Sequence, residues 1–199
     1  MDYSQFLAMK QEIGLLIVFL IVFIYDTFFT RTSSEVVGQN GEGALTKPTL
    51  GALPVVSTIL FAIFTVYGFC PSLQEASVAF AGMYVTSPTI VAIKNILNIG
   101  VLIVMIQSIT WSGTEFTSIR RGEFYELILL TLFGMYFMIS SSNFLMFVIG
   151  LETASLPLCA LVAFDKHRYE SHEAAIKYVL TAIFSSAILL MGLSLLYGL

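Results

Sequence analysis

Apolar residues gather in six runs, at about 13–29, 50–69, 89–111, 124–139, 144–164 and 173–198. Short polar stretches separate them. A helix needs about 20 mostly apolar residues to cross the hydrocarbon core of a bilayer. Each run is read as one membrane helix, the fourth being short. The polar stretches carry the turn and breaker residues. Residues 31–48, RTSSEVVGQNGEGALTKP, form the longest, rich in Gly, Ser and Asn and closed by Pro48; they read as a surface loop. Between Pro71 and Pro88 only Glu75 is charged. That stretch is expected to be a partly buried loop or a short interfacial helix. The expected fold class is all-α: a polytopic membrane helix bundle of about six transmembrane helices, one membrane domain over 1–199.

Composition agrees with this pattern. Hydrophobic residues make up 57% of the chain and charged residues 11%. Mean hydropathy is +0.90. A soluble domain carries about 25% charged residues. The net charge of −4 argues against a nucleic-acid partner. The lipid bilayer is the expected surrounding. Residues 1–9 lack the basic region and cleavage site of a signal peptide. Cys70 and Cys159 fit no metal or haem spacing, and Cys159 reads as core rather than redox-active.

The basic residues are asymmetric. Loops after the first, third and fifth runs hold Arg31 and Lys47, Arg120 and Arg121, and Lys166 and Arg168. Loops after the second and fourth hold no Lys or Arg. All basic loops then share one side, which the positive-inside rule assigns to the cytoplasm. Both termini fall on the other side.

Charges inside the runs are the candidate chemistry. Phe144–Phe164 spans 21 residues, with Glu152 as its sole charge. Glu152 is about 18 Å of helix from Phe164, near mid-bilayer, where an acid is expensive and belongs beside a partner or a wet cavity. Its depth favours a functional role. Pro157 cannot donate to the Thr153 carbonyl, leaving that oxygen for water or a hydroxyl such as Ser155. Lys177 lies about one turn inside the last run, where Ser171 is a plausible N-cap. Glu173 suits the positive helix end and stands four residues before Lys177, the favourable order for a local ion pair. Lys177 thus reads equally as an interfacial, snorkelling lysine or as an intramembrane functional one. Asp26, Glu12, Lys10 and Glu126 are assigned to helix ends, and Lys94 is expected to snorkel. Trp111 fits an interfacial belt. His167 and His172 read as solvated, although His172 is placed to pass protons between water and Lys177.

There is no nucleotide loop, metal-ligand pairing or catalytic triad in the chain. Proton movement remains. Burial raises a carboxyl pKa and lowers an ammonium pKa, so both groups approach neutrality. Two unit charges roughly 8 Å apart at an effective dielectric of about 20 interact by about 2 kcal/mol. A membrane potential opposes each proton by about 2.3 kcal/mol per 100 mV. One pair biases a proton; a chain of sites is needed to drive it.

The segments GLETASLPLCALVA and SHEAAIKYVLTAIFSSAILLMGLSLLYG resemble the subunit N family of the proton-pumping NADH:quinone oxidoreductase, respiratory complex I. The matched positions run from Glu152, Ser155, Leu156 and Pro157 through Ser171, Glu173, Ala174, Ala175, Lys177 and Tyr178 to Ser185, Ser186, Gly192, Ser194, Leu195, Tyr197 and Gly198. Thr153, Cys159 and Val179 depart from the pattern. The opening KQEIGLLIVFLIVFIYD is similar to the family's first helix. The resemblance implies an antiporter-like fold truncated here after its sixth helix, so a fragment or split gene product is expected. It implies a proton path through Glu152 and Lys177, supported by Ser155, Pro157, Glu173 and His172. It implies no cofactor in this chain, with flavin, iron–sulfur clusters and quinone in partner subunits. The implied partners are the other membrane subunits of complex I, in a bacterial inner membrane. The alternatives are a subunit of a multisubunit cation/proton antiporter and a non-pumping membrane scaffold.

Overall fold

The computed structural model describes residues 9–30, 52–70, 76–111, 121–165 and 168–198. Six helices follow the six apolar runs. They are α1 (Lys10–Tyr25), α2 (Ala52–Tyr67), α3 (Pro88–Trp111), α4 (Arg121–Ser140), α5 (Phe144–Val162) and α6 (Tyr169–Gly198). A π-helical turn, Asp26–Thr30, extends α1. Five helices are long and apolar enough to cross a membrane, and α2 is a shorter apolar helix. The protein is an all-α polytopic membrane bundle. Residues 31–51, 71–75, 112–120, 166–167 and the termini 1–8 and 199 lie outside the described residues. The expected surface loop at 31–48 and His167 fall there.

Helix α4 sits at the centre. Its Tyr125, Ile128, Leu129, Leu132 and Tyr136 share one core with Leu15, Val18 and Val22 of α1, Leu53, Phe61 and Phe64 of α2, and Met105 of α3. On α1 the buried positions 11, 15, 18 and 22 recur at three or four residues, one stripe of a 3.6-residue helix. The other faces carry Ile17, Ile24, Ile63, Val66, Ile96 and Ile103 outward. In water such surface would aggregate; in lipid it matches its solvent.

Helices α4 and α5 approach closely because both present glycine. A Cβ built on Gly134 would run into the Thr153 and Ala154 backbone, and one on Gly150 would stand 2.6 Å from the Met138 nitrogen. Small residues are what let membrane helices bring their backbones together. Asn143 caps α5, its Oδ1 accepting from the Leu145 N–H at 3.2 Å. The far end of α6 is tied back there by the Tyr197 hydroxyl, 2.7 Å from the same oxygen.

Residues 77–86 are neither a loop nor an interfacial helix. They form an antiparallel hairpin, β1 (Ser77–Ala79) with β2 (Tyr84–Thr86), paired Ser77 to Thr86 and Ala79 to Tyr84. The turn places Phe80, Ala81 and Gly82 at φ of 53°, 54° and 87°. Left-handed backbone costs roughly 1–2 kcal/mol at a residue bearing a Cβ. Contacts around it hold the turn: the Ser142 N–H donates to the Met83 carbonyl at 2.9 Å, and Ala79 and Tyr84 pack with Met9, Ile13, Phe80, Phe137 and Met146. The hairpin therefore closes the end of the bundle where α1, α3 and α5 begin and α4 ends.

Helix α6 begins at Tyr169, earlier than the expected 173. Ser171 is not its N-cap: its hydroxyl donates to the Val162 carbonyl at 2.7 Å, joining α6 to the end of α5. Glu126, expected at the interface, is half-buried, and its Oε1 has no hydrogen-bond partner among the described residues.

The α4–α5 seam makes a prediction. Gly134→Val forces two backbones apart and should destabilise the full-length chain by about 3 kcal/mol, the upper end for overpacking. Gly192→Ala, where no atom lies within 4 Å, should be neutral. Thermal unfolding of detergent-solubilised protein checks both; equal midpoints would remove the seam's role.

Candidate functional site

Glu152 lies at the middle of α5 and is half-buried. The Ser155 hydroxyl donates to the Glu152 main-chain carbonyl at 3.2 Å and stands 3.5 Å from its carboxylate. The expectation that Ser155 would satisfy the Thr153 carbonyl is thus replaced by a bond one residue earlier. Pro157 is buried inside α5, and the helix runs on through it to Val162. The Thr153 hydroxyl returns to the Ile149 carbonyl at 2.7 Å. Such back-bonding within one helix satisfies a hydroxyl that has no water to turn to.

Lys177 stands on the outer side of α6 with 73% of its side chain exposed, and pairs with Glu173 at 2.5 Å. This is the i,i+4 pair that the sequence offers, with the acid ahead of the base. No ion pair joins Lys177 to Glu152 among the described residues. His172 is exposed in the first turns of α6. The six expected site residues therefore lie on two neighbouring helices without forming one constellation. Among the described residues no group of three His, Cys, Asp or Glu side chains is placed to hold a metal ion.

A second group of charges is fully buried. Lys94 of α3 forms an ion pair with Glu12 of α1, at 0% and 2% exposure. Lys94 therefore does not snorkel, and Glu12 does not bracket α1 from the water. The reason is tertiary: the hairpin covers this end of the bundle. The Tyr84 hydroxyl donates to Glu12 Oε2 at 2.8 Å and lies 3.5 Å from Lys94 Nζ. Burial, and then the Glu12 charge, push the Tyr84 phenol up from its ordinary value, so it remains a donor. The rings of Tyr136 and Tyr84 lie 5.1 Å and 5.6 Å from Nζ, within reach of a cation–π attraction. One turn deeper, the Tyr136 hydroxyl donates to Asn98 Oδ1 at 2.6 Å. Asn95 meanwhile donates to the Gly68 carbonyl at 2.9 Å, capping the end of α2.

One signal for this group was present in the chain. Val91, Lys94, Asn98 and Met105 are spaced at three, four and seven residues, and all are buried on α3. A lysine in register with core positions is placed for a partner within the bundle. The identity of that partner, 82 residues away, has no local trace.

Six apolar helices, with Glu12, Lys94 and Glu152 held inside the bundle, define the class as a polytopic membrane protein. Comparison with known proteins agrees. The family described as NADH:quinone oxidoreductase/Mrp antiporter, TM matches residues 141–199. NADH-quinone oxidoreductase subunit N of Azobacteroides pseudotrichonymphae is 41% identical over 100% of this chain and 38% of its own length. The subunit N of Phocaeicola vulgatus is 39% identical over the same shares. That of Methylovorus glucosotrophus is 31% identical over 98% of this chain and 37% of its own. The resemblance to the antiporter-like membrane subunits, and to subunit N among them, is thereby established. The chain spans about 38% of the length of these first two relatives.

The buried pair carries a stability prediction. Removing one partner of a buried ion pair leaves an uncompensated charge and costs about 3–5 kcal/mol, whereas replacing both by apolar or neutral groups is often nearly neutral. Glu12→Gln and Lys94→Met should each lower the thermal midpoint of the full-length subunit in detergent, and the double variant should recover most of the loss. A double variant as unstable as the sum of the singles would show that the two charges are not coupled.

Proposed function

We propose that this chain is a membrane segment of a proton-translocating NADH:quinone oxidoreductase, coupling quinone reduction in partner subunits to proton movement through Glu152 and Lys177. The observation that carries the reading is the 41% identity to a subunit N over the whole of the chain, with Glu152 half-buried on α5. Ser155 and Pro157 set the polarity around Glu152. Lys177 exchanges protons with Glu152's side of the path when it leaves Glu173, and His172 passes protons between Lys177 and the water. The segment holds no redox centre; flavin, iron–sulfur and quinone chemistry belong to the partner subunits. The membrane is a bacterial inner membrane, with the basic loops in the cytoplasm. The family description also names the Mrp antiporter, so a cation/proton antiporter subunit is the second reading.

Glu152→Gln keeps the side chain's volume and removes its titratable charge. In the assembled complex, reconstituted in vesicles, it should lower proton pumping severalfold while assembly persists. Unchanged pumping would remove Glu152 from the path. A pumping cycle over Glu152→Gln and Lys177→Met should be non-additive, because residues acting as one unit do not contribute separately. Strict additivity, with Glu173→Gln reproducing Lys177→Met, would return Lys177 to a helix-end ion pair.

Sidedness has its own test. A single cysteine at position 168, in a background lacking Cys70 and Cys159, should resist an impermeant thiol reagent added outside intact cells. Rapid labelling there would invert the topology.

A further inference from the structure

We propose that Glu12 and Lys94, beneath the 77–86 hairpin, form a second proton-exchange site, separate from Glu152. The inference rests on the reading of the chain as a proton-translocating segment. Three observations place it. The ion pair is buried, with Lys94 at 0% and Glu12 at 2% exposure, where a merely structural link between α1 and α3 would be met more cheaply by apolar packing. The groups facing the pair are Tyr84 from the hairpin and Tyr136 from α4. Asn98 Nδ2, one turn from Lys94 on α3, is buried with no hydrogen-bond partner among the described residues, while Asn98 Oδ1 accepts from Tyr136. The Thr86 and Ser140 hydroxyls stand against the Tyr84 phenol. An unpaired buried donor is costly, and these polar groups are the ones that would hold water beside the ion pair.

The step is a simple protonation. The Glu12 carboxylate takes one proton from water, forming an O–H bond at Oε as an O–H bond of hydronium breaks. Lys94 keeps its ammonium, now facing a neutral acid. The rings of Tyr84 and Tyr136 stabilise that cation through their faces, and Tyr84 also offers its hydroxyl oxygen. Release of the proton to water restores the ion pair. No electron moves.

The test is proton pumping per electron by the assembled complex in vesicles, with the double variant Glu12→Gln/Lys94→Met. The double variant removes titration while avoiding an unpaired charge. Assembly with a loss of protons moved per electron supports the site; pumping equal to wild type overturns it. Acid-minus-neutral infrared difference spectra of the complex decide the case if the double variant fails to assemble. A protonated-carboxyl band that moves in Glu12→Asp supports titration of Glu12, and an unmoved spectrum overturns it. Glu152→Gln is measured in parallel. A loss there, with none at Glu12/Lys94, leaves the proposed function standing and removes this inference; a loss at neither removes both.

Discussion

A charge cannot stand alone in the apolar interior of a membrane bundle, and that constraint organises one end of this structure. Lys94 enters the bundle because Glu12 receives it, and Glu12 stays because Lys94 and the Tyr84 hydroxyl each bond one of its carboxylate oxygens. The pair fixes the register of α1 against α3. Tyr84 can reach it only if the hairpin folds over the bundle, which requires a turn with Phe80, Ala81 and Gly82 in the left-handed region. The backbone strain is thus offset by a hydrogen bond to a buried charge, roughly twice as strong as a neutral one, and by the packing of Tyr84 with Met9 and Ala79. The hairpin, the two helix starts and the ion pair depend on one another.

The remaining bundle is held by shape. Helix α4 packs aliphatic and aromatic side chains against α1, α2 and α3, but meets α5 through glycine. These are different means to one end. Lipid tails are as apolar as leucine, so burying leucine against leucine gains little by the hydrophobic effect within a membrane. Close backbone approach and interhelical hydrogen bonds such as Ser108 to Tyr125 at 3.0 Å then carry more weight. Helix α6 has neither kind of contact along its membrane-length window, none of which is buried in the fold. Its ties are terminal, Ser171 to Val162 at one end and Tyr197 to Asn143 at the other.

Length and hydropathy made six helices legible, with boundaries that moved by a few residues, because membrane crossing is a property of composition over about 20 residues. The Glu173–Lys177 pair was legible because it is set by spacing on one helix. What escaped was non-local. The hairpin has only three residues per strand and a turn whose φ values two side-chain-bearing residues would not choose alone. Ser171 looked like a cap because caps are recognised by local spacing, while its partner, Val162, lies nine residues back across a loop.

Lys94 and Lys177 make the difference sharpest. Both stand a turn or two inside the start of a helix, and by spacing alone both should run their ammonium groups to the interface. Lys177 finds an acid four residues away on its own helix, and its side chain is largely exposed. Lys94 has no acid on α3 within reach; the helix Pro88–Trp111 contains none. Snorkelling needs open water beyond the helix end, and the hairpin has closed that end. The lysine therefore turns inward to α1. A lysine's depth in the sequence sets how far it must reach, but what covers the helix end decides the direction. That makes the hairpin, and not the position of either charge along its helix, the element that turns an interfacial pair into a buried one.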